Sequence, residues 1–297
     1  MNRRTFSKNL TGTAALAAAA KKSAFAADDG APPFQLSIML WTIFRDLPFE
    51  QRLEKCVEAG YKNVELIGEY NKWSEEEFKR NIAKARELGI FFDVTAGLKH
   101  GAANPNDHDA LVADVKRELA IMERLNCPAV IVMSGNVVPG MPRQVQHDSC
   151  IESLKRAAAV VEGKQIAGQP VRLLLENIDP EENPKYYLTS VAEGFEIIKA
   201  VNHPQVQLLY DFFHEQISEG NLIEKLRKDI QYTGLVHIAD VPGRHEPGTG
   251  EINYENIFRT LAELKYNRIA AMEFLPTGDP VEQLRKAREM VLRSARS

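Results

Sequence analysis

The chain has 297 residues, 44% of them hydrophobic and 26% charged, with a formal net charge of −4. This is ordinary globular composition, and the length suits one α/β barrel domain whose core needs no disulfide or metal staple. No apolar run approaches the roughly 18 residues of a membrane-spanning helix, so a membrane span is excluded.

The first 30 residues stand apart from the rest. Arg3 and Arg4 are followed by Phe6 and Lys8, then by an Ala-rich stretch from Leu10 to Ala20, Lys21-Lys22 and the A-x-A site Ala24-Phe25-Ala26. The order resembles a twin-arginine export signal over residues 1–26, with Ser7 where such signals usually carry Leu; it implies cleavage and delivery to the bacterial periplasm. Cleavage removes five cations and no acid, taking the net charge from −4 to −9. So acidic a protein is a poor partner for nucleic acid or anionic lipid. Cys56, Cys127 and Cys150 are odd in number and form no close motif, which argues against a disulfide framework or a zinc knuckle.

From Phe34 onward, short apolar runs alternate with longer amphipathic ones. The short runs are "QLSIML", "NVELIGEY", "FFDVTAG", "AVIVMSG", "VRLLLEN", "VQLLYDFF", "GLVHIAD" and "IAAMEF". They read as doubly buried parallel strands. Segments such as "FEQRLEKCVEAGY" and "SEEEFKRNIAKARELG" lie between them, with Gly60 and Gly89 where helices should end. Eight such units predict a single-domain (β/α)8 TIM barrel over residues 34–297. An open nucleotide-binding sheet is disfavoured, because no glycine-rich loop follows the first strand.

Four late strands end on a ligand-type residue: Glu176, Asp211, His237 and Glu273. Alone, each reads as a solvated strand end, a helix cap or a core histidine. Together they follow apolar neighbours at intervals of 35, 26 and 36 residues, about one strand–helix unit each. Catalytic groups collect at the C-terminal ends of barrel strands, so the four are expected to converge on one mouth. Three carboxylates and an imidazole suit one divalent cation, Mn²⁺, Mg²⁺ or Co²⁺, with Zn²⁺ also compatible.

The stretches "LLLENID", "DFFHEQ", "HIADVPGRHEPGTGEINY" and "AMEF" resemble the xylose isomerase-like barrels, within them the hydroxypyruvate isomerase and ketose 3-epimerase branch, over about Phe34 to Arg293. The resemblance implies that Glu176, Asp211, His237 and Glu273 ligate the metal and that Glu176 and Glu273 double as the acid/base pair. It also implies that His214 and Arg244 contact substrate oxygens. His237 follows the epimerase pattern, whereas some hydroxypyruvate isomerases carry Gln there, so both branches stay open. In the loop after His237, the turn at Pro242-Gly243 is expected to swing Arg244 over the mouth; a surface salt bridge is the plain alternative. His245 and Glu246 read as loop residues, and Trp41 as packing or a pocket wall.

A metal between two glutamates suits proton transfer beside a carbonyl, through an enediolate. The implied reaction is isomerisation of hydroxypyruvate to tartronate semialdehyde. Epimerisation of a ketose or keto-sugar, dehydration of an inosose, and a non-catalytic sugar-binding barrel remain open, as does homo-oligomerisation. A nuclease of the related endonuclease type is disfavoured by the acidic charge and because Glu65, Glu69, Asp93 and His100 on the early strands show no ligand pattern.

Overall fold

The computed structural model describes residues 33–296, so the expected signal over residues 1–26 lies outside the described residues. Eight parallel strands close on themselves: β1 (Gln35–Met39), β2 (Asn63–Leu66), β3 (Phe91–Thr95), β4 (Ala129–Met133), β5 (Arg172–Glu176), β6 (Val206–Asp211), β7 (Thr233–Ile238) and β8 (Ile269–Met272). Each strand pairs with the next, and β1 pairs with both β2 and β8. The barrel follows from strands that are apolar on both faces. Met39, Val94, Ile131, Leu174, Leu209, Leu235 and Ala271 fill the interior. Their neighbours Leu173, Leu175, Leu208, Tyr210, Val236, Ala270 and Met272 pack outward with the helices.

This two-residue alternation positions the site. Leu174, Leu209, Leu235 and Ala271 point inward. The residues two further along are Glu176, Asp211, His237 and Glu273, so strand phase turns all four into the mouth. In β2 the flanking Val64 and Leu66 pack outward, which places Glu65 inside.

The helices are α1 (Phe49–Glu58), α2 (Glu75–Leu88), α3 (His108–Leu125), α4 (Arg143–Val161), α5 (Val191–Val201), α6 (Phe212–Ser218), α7 (Leu222–Asp229), α8 (Tyr254–Glu263) and α9 (Pro280–Ser294). Ser74 and Glu77 form a capping box on α2, which Gly89 ends at φ 67°. "VQLLYDFF" is strand only as far as Asp211; Asp211 Oδ1 accepts from the His214 N–H at 3.1 Å and starts α6 at Phe212. A two-stranded hairpin, Gln165–Ile166 with Gln169–Pro170, is an addition to the expected pattern; it turns through Ala167 and Gly168, both at positive φ. Cys56, Cys127 and Cys150 are buried and free. Among the described residues no helix is long and apolar enough to cross a membrane.

Candidate active site

Glu176 is the last residue of β5 and Asp211 the last of β6; His237 lies one before the end of β7, and Glu273 just follows β8. All four are buried, and one ligand atom from each lies within 4.8 Å of the others. His237 Nδ1 is 2.8 Å from Glu273 Oε2, 3.4 Å from Glu176 Oε1 and 3.7 Å from Asp211 Oδ2. Yet His237 Nδ1 and Asp211 Oδ2 are buried without a hydrogen-bond partner. Orphaned donor atoms in the middle of three carboxylates fit a divalent cation, since buried carboxylates need compensating positive charge.

The charges in the site are unevenly held. Burial pushes the Glu176 carboxyl up, and the nearby Glu273 and Asp211 add to this against the pull of His237. Burial also opposes ionisation of Glu273, but Arg244 and His237 outweigh it and bring its pKa down. For Asp211, burial is outweighed by His214, His237 and Arg244, so its pKa falls well below the carboxylate range.

Arg244 is not a surface residue. Its side chain is 6% exposed, with Nη2 2.7 Å from Glu273 Oε1 and Nη1 2.7 Å from Glu182 Oε2. Its guanidinium lies 5.3 Å from the Trp41 ring centroid and 5.0 Å from that of Phe213. His214 is buried; its Nδ1 contacts Asp179, which also accepts the N–H groups of Glu181 and Glu182 at 2.8 Å. Burial lowers the His214 pKa, but Asp211 and the Asp179 hydrogen bond raise it to about 9. Asp179, Glu182 and His214 cluster closely enough for a cation. Each already has a partner, so the trio works as a brace for His214 and Arg244.

The loop from β7 to α8 is organised by Asp240, a fully buried residue. Its carboxylate accepts the N–H groups of Val241 (2.9 Å), Gly248 (2.8 Å), Gly250 (2.9 Å) and Ile252 (3.0 Å). A Cβ on Gly250 would lie 2.0 Å from the Val241 carbonyl oxygen, so the two strands of the loop touch only because residue 250 has no side chain. Arg244 itself sits at φ 57°, a conformation costly for a residue other than glycine. Glu246, expected as a plain loop residue, accepts the Thr277 N–H at 3.0 Å and ties this loop to the one after β8.

Two site residues escape a reading by sequence pattern. Trp41, expected mainly to pack, is 36% exposed and donates its indole N–H to Glu273 Oε1 at 2.7 Å. Glu65, which showed no ligand pattern, has Oε2 3.0 Å from His237 Nε2. A tryptophan directly after an apolar strand, and an acid in the middle of one, are the only sequence signals for either. Of the other early-strand acids and histidine, Glu69 pairs with Arg52 and His100 with Asp114, while Asp93 is buried near Glu65 with both carboxylate oxygens lacking a hydrogen-bond partner.

The family model described as "Xylose isomerase-like TIM barrel" matches residues 53–294. A zebrafish (Danio rerio) protein named putative hydroxypyruvate isomerase is 31% identical over 272 residues, covering 86% of this chain and 95% of its own. A 2-oxo-tetronate isomerase of Pectobacterium atrosepticum is 30% identical over 255 residues, covering 83% and 93%. Among solved structures, one described as an AP endonuclease of family 2 from Brucella melitensis superposes with a TM-score of 0.74 at 26% identity, covering 86% and 97%. The closed eight-stranded barrel and these matches agree: the chain belongs to the xylose isomerase-like TIM barrel family and is an enzyme of its isomerase and epimerase class.

Proposed function

We propose that the chain is a divalent metal-dependent isomerase of small 2-oxo acids, interconverting hydroxypyruvate and tartronate semialdehyde. The observation that carries this is the pair Glu176 and Glu273, buried on either side of the orphaned donors His237 Nδ1 and Asp211 Oδ2. Glu176, Asp211, His237 and Glu273 would hold one cation, Mn²⁺, Mg²⁺ or Co²⁺ by donor chemistry, with Zn²⁺ also compatible. When bound, the cation supplies positive charge against the substrate oxygens that become anionic as the proton leaves.

The protein's own groups do the rest. One glutamate takes the proton from C3 of hydroxypyruvate and the other returns a proton at C2, through an enediolate. The C3–H bond breaks, a C2–H bond forms, and a proton passes from the C3 oxygen to the C2 oxygen, so no atom is gained or lost. Arg244 and His214 face the same mouth and offer cationic N–H donors to the substrate carboxylate and hydroxyl. The names of the two relatives, both isomerases of oxo acids, favour this substrate class over neutral ketoses.

The test is a substrate panel in D₂O. The protein with Mn²⁺ is offered hydroxypyruvate, a 2-oxo-tetronate and a ketohexose, and each C–H adjacent to a carbonyl is followed by NMR. Exchange and interconversion of the oxo acids is the expected result. Turnover of the ketohexose alone would favour 3-epimerisation, and binding without exchange a non-catalytic barrel. We also infer export by the twin-arginine route, from Arg3-Arg4 and the Ala24-Phe25-Ala26 site.

A further inference from the structure

We propose that Glu65, reaching across the barrel from β2, sets the tautomer of His237 and so makes its Nδ1 a cation ligand; the inference rests on the metal reading above. A neutral imidazole has one N–H and one lone pair, and a hydrogen bond at one nitrogen decides which faces a ligand. Glu65 Oε2 lies 3.0 Å from His237 Nε2. A carboxylate there accepts an N–H, leaving the Nδ1 lone pair toward Glu176, Asp211 and Glu273, where Nδ1 is buried and without a hydrogen bond.

The geometry is specific to this role. In the closed order β2 and β7 are not neighbours; β1 and β8 stand between them. The contact therefore crosses the interior and cannot be a by-product of strand pairing. Glu65 and His237 are both fully buried, in an interior lined by Met39, Val94, Leu235 and Ala271 and shared with the buried Asp93. An ionisable side chain in such surroundings is costly to keep. Nor is Glu65 a well-satisfied structural brace, because its Oε1 has no hydrogen-bond partner. Among the described residues its carboxylate hydrogen-bonds to His237 alone.

Glu65 is thus a positioning residue, acting on the cation through His237. The first experiment measures Mn²⁺ affinity of the full chain by calorimetry for the wild type, Glu65→Gln and Glu65→Asp, with circular dichroism to confirm folding. Glu65→Gln should weaken Mn²⁺ binding by about 10- to 100-fold, the usual effect of losing such a partner. Glu65→Asp, which keeps the carboxylate, should recover part of the loss. Wild-type affinity in folded Glu65→Gln would overturn the proposal while leaving the metal reading intact; no Mn²⁺ binding by the wild type would overturn both.

The second experiment needs no variant, so it stands even if Glu65→Gln fails to fold. Long-range ¹H–¹⁵N correlation NMR on the Zn²⁺-loaded, histidine-labelled wild type should show His237 protonated at Nε2 and not at Nδ1. A proton on Nδ1 with Nε2 bare would overturn the assignment.

Discussion

Asp114 and Asp211 are both buried aspartates held ionised, to different ends. Asp211 faces the mouth, with one oxygen left unpaired. Asp114, on α3, uses Oδ2 to accept the N–H groups of Lys99 (2.7 Å) and His100 (2.9 Å) and also pairs with Arg117, fixing the loop after β3. Burial opposes its ionisation, but Arg117, His100 and the Lys99 N–H outweigh it and hold the pKa at about 2, below the ordinary 3.8. A depressed carboxylate pKa stabilises the fold above the unfolded value. The contribution of Asp114 is therefore complete above about pH 4 and is lost as pH falls through about 2. Asp114→Asn should cost about 2 kcal/mol at pH 7 and flatten the acid limb of a urea-unfolding series between pH 4 and pH 2. At this scale the sequence is half legible. Glu176, Asp211, His237 and Glu273 can be found because each ends an apolar run. The contact between Glu65 and His237 cannot, because it spans 172 residues and depends on which inward-facing side chains meet across a closed barrel.

Among the elements, the loop from β7 to α8 carries the most information. Its glycines and Arg244 were readable as a turn aimed at the mouth, and the structure places Arg244 there, against Glu273. The organising residue, Asp240, was not readable, since an acid at a strand end looks like any solvated terminus until its four backbone donors are seen. Replacing Asp240 by Ala removes the acceptor of four backbone N–H groups, of which that of Ile252 is in a buried bond and the other three in part-buried ones, at a cost of about 1–3 kcal/mol. Because Arg244 rides on this loop, Asp240→Ala should also raise KM for the oxo acid by at least about 10-fold, measured by steady-state kinetics on folded protein. An unchanged KM would mean that Arg244 is held without the loop. The strands themselves were legible from composition, because burial on both faces leaves continuous apolar runs. The end of β6 was not: "YDFF" is apolar enough to continue as strand, and only the capping hydrogen bond of Asp211 turns it into α6.

The whole molecule combines a closed barrel, a site at the C-terminal ends of its strands, and a leader-like sequence before it. Strand order follows chain order around the barrel, so the architecture is legible in the linear sequence. The proposed export signal is tested by replacing Arg3 and Arg4 by Lys, which should leave the chain in the cytoplasm with residues 1–26 attached, as fractionation and mass spectrometry would show. Undisturbed processing would contradict twin-arginine export. The proposed proton transfer by two buried glutamates is tested by C3–H exchange of hydroxypyruvate in D₂O by Glu176→Gln and Glu273→Gln, with Mn²⁺ occupancy verified in each. Exchange should fall by about 10²- to 10⁴-fold in both, because an amide cannot take up or return the proton. Exchange at the wild-type rate in either variant would contradict it.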